Sequence, residues 1–251
     1  MKKLLAFDSD DTIVVSKMPA TERMAALLAA AMSKYDICII SGTGFESVIY
    51  PNTVSQIEKI PGVDLSRLHI MPTCGTRYYR YQDGEWRLQY QEDLTQEQKD
   101  KIFAAIEKSA KELGMWVEDP AGEIIEDRLS QITYSALGQQ ATPEDKYAWA
   151  EANKEKRKQL HAAVEKLIPE FEIRTAGTTS LDVTKPGVDK AYGMRKLMEA
   201  TGFDKSDILF FGDKLEEGGN DFPVKNMGVD CISVERWEDT AYALEGIIAV
   251  S

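Results

Sequence analysis

The hydrophobic and polar positions of this chain fall into two textures. Leu4-Leu5-Ala6-Phe7 is an apolar run that stops at Asp8-Ser9-Asp10-Asp11-Thr12, and Asp36-Ile37-Cys38-Ile39-Ile40 stops in the same way at Ser41. Leu68–Met71, Ile208–Phe211 and Cys231–Val234 are similar runs. Each reads as a buried strand. Between the first two, Thr21 caps a predicted helix through Met32, with Met24, Leu27, Leu28 and Ala31 at i, i+3, i+4 and i+7. A short helix is expected over Val54–Ile60, and longer ones over Lys190–Thr201 and near Thr240–Ile248. Strands separated by helices imply a parallel sheet flanked by helices.

From Thr76 onward the texture changes. Tyr78–Tyr81 and Glu85–Tyr90 read as two strands around an Asp83-Gly84 hairpin turn. Thr95 and Gln98 form a capping-box pattern that opens a helix to Leu113, with Phe103, Ile106, Ala110 and Leu113 on one face and Gly114 ending it. Strands follow at Met115–Glu118, Ile124–Arg128 and Ile132–Ser135. A charged helix, interrupted along its length, runs from Pro143 to Ile168. Strands at Phe171–Thr175 and Ser180–Val183 precede Lys185-Pro186-Gly187, a breaker-rich return. The predicted organisation is a discontinuous α/β core at 1–82 and 186–251, with an α+β unit at 83–185 inserted as a cap.

A chain of 251 residues has room for that division, and its 43% hydrophobic content suffices for buried cores. A net charge of −12 argues against a nucleic-acid or anionic-membrane surface, and obliges any phosphate site to gather its cations locally. Cys38, Cys74 and Cys231 show no Cys-x-x-Cys spacing, and Cys38 and Cys231, in apolar strand-like runs, read as buried thiols in a reducing compartment. Without a signal peptide, lipidation motif or long apolar span, the expectation is a soluble cytoplasmic protein.

The candidate chemistry sits where the strands stop. Asp8 and Asp10 begin on the same side of the chain at a strand's carboxyl end, where open α/β sheets bind ligands. Two such close carboxylates predict a divalent metal, a proton-transfer role or both; the alternative is a polar turn. Ile208–Phe211 repeats the design with Gly212-Asp213, and Gly218-Gly219-Asn220-Asp221 adds further oxygen donors suited to Mg²⁺. A solvated acidic loop is the alternative there. His69 and His161 have neither metal spacing nor a nucleophile partner, and Tyr134 and Trp149 read as core.

In this order the motifs resemble the haloacid dehalogenase superfamily of phosphotransferases. Asp8, Asp10 and Thr12 match its Asp-x-Asp-x-Thr. Ser41 matches its strand-end hydroxyl and Lys190 its lysine, while Gly212, Asp213, Asn220 and Asp221 match its last motif. Over nearly the whole chain the sequence is similar to the eukaryotic-type phosphomannomutases. Gly187-Val188-Asp189-Lys190, Ser180-Leu181-Asp182-Val183 and Glu126-Asp127-Arg128 through Leu137-Gly138 all resemble segments of that family. Two departures stand out. Lys17, Gln139 and Lys146 occupy places where members usually carry arginines, and Asp11 replaces the glycine of the first motif.

The resemblance implies a Rossmann-like core with the haloacid dehalogenase fold and a specificity cap. It makes Asp8 the nucleophile of an aspartyl-phosphate and Asp10 the general acid/base, a division that spacing alone leaves open. It assigns Mg²⁺ to Asp8, the Asp10 carbonyl and Asp213, with Asn220 and Asp221 as supports, and the phosphoryl oxygens to Ser41 and Lys190. Arg128 would grip a distal phosphate or sugar, or else join surface ion pairs. Ser180 and Asp182 would meet sugar hydroxyls, and Lys17, Gln139 and Lys146 fall on the same substrate-binding set. The implied ligand is a small phosphorylated sugar, and a homodimer is allowed. Mannose 6-phosphate/mannose 1-phosphate interconversion is the first expectation. A sugar-phosphate phosphatase and a catalytically weak phospho-ligand binding protein are the alternatives.

Overall fold

The computed structural model describes residues 2–16, 18–176 and 178–250. Its strands are β1 Leu4–Phe7, β2 Asp36–Ile40, β3 Leu68–Met71, β4 Arg77–Gln82, β5 Glu85–Gln91, β6 Ile125–Asp127, β7 Gln131–Ser135, β8 Glu172–Ala176, β9 Ser180–Thr184, β10 Ile208–Gly212 and β11 Asp230–Ser233. They belong to two compact units, Met1–Gln91 with Asp189–Ser251, and Glu92–Val188.

The first unit is built on a seven-stranded sheet in the order β11-β10-β1-β2-β3-β4-β5. Strands β11 through β3 are parallel, and β4 and β5 are added antiparallel at one edge. Alternation along the parallel strands supplies two apolar faces. Leu5, Phe7, Ile37, Ile39 and Phe211 pack with Met24 and Leu28 of the Glu22–Ala31 helix and Leu244 of the Trp237–Val250 helix. Leu4, Ala6, Cys38, Ile40 and Phe210 pack on the other side with Met194 and Leu197 of the Lys190–Thr201 helix. Helices on both faces explain why these strands are continuous apolar runs.

In the second unit β6-β7-β9-β8 form an antiparallel sheet with one apolar and one polar face. Ile132, Tyr134, Leu181, Val183 and Ile173 pack against Ile102 and Ile106 of the Gln96–Glu112 helix and Leu160 and Val164 of the Lys154–Leu167 helix. The intervening side chains, Gln131, Thr133, Ser135, Ser180 and Asp182, share the opposite face by strand alternation. Thr95 and Gln98 make both bonds of the expected capping box. The long charged helix breaks at Asn153, which separates Pro143–Ala152 from Lys154–Leu167.

Four expectations need correction. A division after residue 82 would cut the β4–β5 hairpin, whose partners run from Gln82↔Glu85 to Arg77↔Gln91, so the first unit extends to Gln91. Residues 186–188 stay with the second unit, where the Gly187 amide donates to Glu172 Oε2 at 2.6 Å and Arg174 donates to the Val188 carbonyl. The helix expected at Val54–Ile60 begins instead at Phe45 as a π-helical stretch to Val54, continuing into Ser55–Ile57. Its wider period and internal Pro51 hide it from a 3.6-residue pattern. Met115–Glu118 is not a strand. Gly114 is left-handed at φ 62°, the Met115 amide donates back to Ala110 at 2.8 Å, and its carbonyl accepts the Tyr134 hydroxyl.

Candidate active site

Register alone brings the strand-end side chains together. Phe7 lies opposite Phe211 on one side and Ile39 on the other, so Asp8, Asp213 and Ser41 all emerge at the carboxyl ends of adjacent parallel strands. The Asp8 amide donates to the Phe211 carbonyl at 3.0 Å, and the Ser41 amide to the Met71 carbonyl at 3.2 Å. Lys190 opens its helix just after Asp189, whose side chain caps it by accepting from the Tyr192 amide at 2.7 Å. These groups all belong to the first unit.

The Lys190 ammonium is the centre of the cluster. Its Nζ lies 2.6 Å from Asp8 Oδ1 and 2.6 Å from Asp221 Oδ1. Asp221 also accepts from the Lys214 amide through Oδ2 at 3.1 Å. Asp8, Asp213 and Asp221 each place a carboxylate oxygen within 4.8 Å of the others, an all-oxygen set that fits a hard divalent cation. Burial pushes the Asp8 carboxyl up to about 7 against the opposing pull of Lys190, and Asp221 raises it further. Burial works against the Lys190 charge, but Asp8 and Asp221 outweigh it and hold the ammonium above its usual range.

The turn after β1 carries the remaining acids. Asp10 is half-buried and forms an isolated bridge with Val14, and the Asp11 amide donates to the Val14 carbonyl at 2.7 Å. Asp11 has φ 56°, a left-handed position that explains the glycine of the resembling motif and that Asp tolerates better than most residues. Its Oδ1 accepts from the Ser16 amide at 3.3 Å. Burial raises the Asp11 carboxyl, and the Asp213 and Asp10 charges add to it. Ser41 Oγ is 2.9 Å from Thr43 Oγ1, a second hydroxyl two residues on that the i, i+2 spacing could have flagged. Asn220 is exposed, whereas Asp221, expected only as a support for metal, is fully buried and paired with Lys190.

The other expected substrate residues lie in the second unit, except Lys17, which is outside the described residues. Arg128 donates to Glu126 Oε2 at 2.7 Å, and its side chain is almost wholly buried rather than on the surface. Asp182 accepts from Thr133 Oγ1 at 2.8 Å, and Thr133 in turn accepts from Gln131 Nε2 at 2.9 Å. Burial raises the Asp182 carboxyl, opposed by the Arg128 charge and the Thr133 bond. Ser180 stands opposite Ser135 in the β7–β9 register. The Lys146 ammonium donates to the Gln139 carbonyl at 3.1 Å. Tyr134 is fully buried, and Trp149 packs against the second unit's core.

Comparison with known proteins first defines the class. A haloacid dehalogenase-like hydrolase from Bacteroides thetaiotaomicron superposes with a TM-score of 0.64 at 15% identity, covering 98% of this chain and 100% of that one. The chain has the haloacid dehalogenase fold. A sequence model of the eukaryotic phosphomannomutase family matches residues 24–250, and the chain belongs to that family. The phosphomannomutase of Saccharomyces cerevisiae is 25% identical over 228 residues, 88% of this chain and 84% of its own length. That of Encephalitozoon cuniculi is 26% identical over 251 residues, 95% of this chain and 91% of its own. Family and fold together make the chain an enzyme of the haloacid dehalogenase superfamily. Among the described residues no helix is long and apolar enough to cross a membrane.

Proposed function

We propose that this chain is a Mg²⁺-dependent phosphotransferase acting on a hexose phosphate, interconverting mannose 6-phosphate and mannose 1-phosphate through an aspartyl-phosphate. The observation that carries this reading is the buried Lys190 ammonium at 2.6 Å from both Asp8 and Asp221. In-line transfer needs a nucleophile, a proton donor and positive charge at the equatorial oxygens. An ionised Asp8 oxygen attacks phosphorus. The bond to the sugar oxygen breaks, and that oxygen takes the proton carried by Asp10. The Lys190 ammonium and Ser41 hydroxyl hold the phosphoryl oxygens. Asp8 and Asp213, with the Asp10 carbonyl, would hold Mg²⁺, and Asp221, whose oxygens meet Lys190 and the Lys214 amide, would support it together with Asn220. When bound, it screens the nucleophile from the phosphate and stabilises developing charge. Ser180, Asp182 and Arg128 offer the hydroxyl, carboxylate and guanidinium for sugar hydroxyls or a second phosphate. With the chain's net charge at −12, nucleic acid is disfavoured as a partner.

A second reading, hydrolysis of the aspartyl-phosphate by water, is favoured by one observation. A mutase must hold a second phosphate, and Arg is a bidentate clamp where Lys is a point charge and Gln is uncharged. Here Lys146 donates to the Gln139 carbonyl, and Arg128 is paired with Glu126. One experiment separates the two: incubation with Mg²⁺ and mannose 1-phosphate, with and without a hexose 1,6-bisphosphate primer. Primer-dependent isomer with little free phosphate supports the mutase. Free phosphate without isomer supports the phosphatase.

A further inference from the structure

Between β3 and β4 the backbone does something unusual. Thr73, Cys74 and Gly75 are three consecutive residues in the left-handed region, at φ 47°, 56° and 83°. For a β-branched threonine this is a conformational outlier, of the kind that persists only where the surroundings over-determine it. Here they do. The Thr73 amide donates to the Thr43 carbonyl at 3.0 Å and the Cys74 amide to the Ser41 carbonyl at 2.8 Å. The Gly75 carbonyl accepts the Tyr90 hydroxyl at 2.7 Å. Thr76 Oγ1 lies 2.6 Å from Thr73 Oγ1 and donates to the Thr73 carbonyl at 2.8 Å.

The opposite side of this turn abuts the helix that carries Lys190. A Cβ placed on Gly75 would stand 2.4 Å from Gly193 Cα. One placed on Gly193 would stand 2.6 Å from the Cys74 carbonyl oxygen and 2.5 Å from Ile40 Cδ1. Gly193 follows Lys190 by three residues, so the two share a side of the helix. Backbone therefore meets backbone, with no side chain between them to yield. One face of the turn holds the main chain of Ser41 and Thr43; the other stops the Lys190 helix.

We infer that Thr73–Gly75 is a positioning block that sets the separation between the Ser41 hydroxyl and the Lys190 ammonium, with Gly75 and Gly193 as the residues that fix it. The inference rests on the reading that Ser41 and Lys190 hold the transferring phosphoryl group. It adds that their spacing is imposed by the strained turn rather than by the strands and helix alone. A side chain at Gly193 would require a retreat of about 0.8 Å to bring its 2.6 Å approach to ordinary contact at 3.4 Å. Misplacement on the scale of 1 Å can cost about a hundredfold in rate.

The test compares Gly193→Ala with wild type for hydrolysis of p-nitrophenyl phosphate in Mg²⁺, and for competitive inhibition by inorganic phosphate. The expected result is a roughly tenfold to hundredfold loss of kcat/KM with inorganic phosphate binding at least about tenfold weaker. A merely structural glycine would lower the amount of folded enzyme and so Vmax, leaving KM and the phosphate inhibition constant unmoved; that outcome overturns the inference. Should Gly193→Ala fail to give a cooperative thermal transition, Gly193→Ala combined with Ile40→Val carries the test. The second change removes the Ile40 Cδ1 that a Cβ on Gly193 would meet at 2.5 Å and leaves the 2.6 Å approach to the Cys74 carbonyl, so phosphate inhibition within about twofold of wild type would then overturn the inference. Lys190→Met and Ser41→Ala run alongside. If both keep wild-type phosphate inhibition, the assignment of the phosphoryl site has failed; if they lose it and the turn variants do not, the block alone has failed.

Discussion

The Lys190 ammonium lies 2.6 Å from an Asp221 carboxylate that has no solvent exposure. This second partner matters because the first, Asp8, is the proposed nucleophile. Once Asp8 carries a phosphoryl group its own carboxylate charge is gone and the lysine's contact on that side passes to the phosphoryl oxygens, so Asp221 is the partner that does not change during the reaction. Asp221 keeps the lysine paired throughout, and its other oxygen, held by the Lys214 amide, fixes its orientation.

Lys190→Met should therefore destabilise the fold as well as abolish turnover. Removing one partner of a buried pair costs about 3–5 kcal/mol. The loss should depend on pH. Asp8 is already raised to about 7, so its ionisation in the metal-free protein opposes folding: the stability its protonated form allows is full below the unfolded value of 3.8 and lost as pH rises toward 7. Without Lys190, Asp8 and Asp221 face each other uncompensated. Urea denaturation in EDTA should show a larger deficit for the variant at pH 8 than at pH 5. An equal deficit at both would count against this ionisation coupling.

Asp8→Asn removes the attacking carboxylate and one oxygen of the acidic cluster with little change of shape. Turnover should vanish while the thermal transition remains, and EDTA should silence the wild type until Mg²⁺ is restored. Residual activity within about tenfold of wild type would refute the covalent mechanism.

Asp10→Asn separates proton donation from binding. If Asp10 protonates the leaving oxygen, an alkyl phosphate should lose far more rate than an activated aryl phosphate, with KM changed little. Equal losses for the two substrates would remove the assigned role.

His69 gives a pH test away from the site. It is fully buried, with Tyr78 Oη 2.7 Å from Nδ1, Asp36 Oδ2 3.4 Å from Nε2, and Arg80 beside it. Burial lowers its pKa, aided by the Arg80 charge and opposed by Asp36. A base depressed below its unfolded 6.5 contributes stability that is present above that pH and lost as pH falls. Between pH 7.5 and 5, His69→Gln should flatten the decline in unfolding free energy measured in urea. A slope identical to wild type would mean that His69 is not the group being protonated.

Much of this architecture is legible in the residues themselves. The apolar runs ending at Asp8, Ser41 and Asp213 define three strands, and their common parallel register gathers the three side chains. The Thr21 and Thr95 caps also stand where their spacing puts them. What stayed hidden is what the pattern does not encode. Asp221 sits among glycines and acids that read as a solvated loop, yet packing buries it completely. The π-helical stretch lacks a 3.6-residue period, and nothing local in Thr73-Cys74-Gly75 announces a left-handed threonine. The β4–β5 hairpin could be recognised, but not the unit to which it belongs.

In the second unit the family resemblance and the residues present diverge at Arg128, Gln139 and Lys146. Losing a charge-assisted contact to a bound phosphate should cost on the order of 1.5–3 kcal/mol. Arg128→Ala should thus weaken use of hexose phosphates while sparing a small aryl phosphate. It also strips Glu126 of its 2.7 Å partner, so Glu126→Gln in the same chain is needed to separate lost binding from an uncompensated carboxylate. The converse change, Gln139→Arg with Lys146→Arg, introduces two guanidinium forks around the main-chain carbonyl of residue 139, which now accepts from the Lys146 ammonium at 3.1 Å. If a second phosphate binds beside them, the ratio of isomer to free phosphate should rise, and a hexose bisphosphate should bind more tightly. An unchanged ratio with unchanged bisphosphate affinity would place the distal group elsewhere and move hydrolysis ahead of isomerisation.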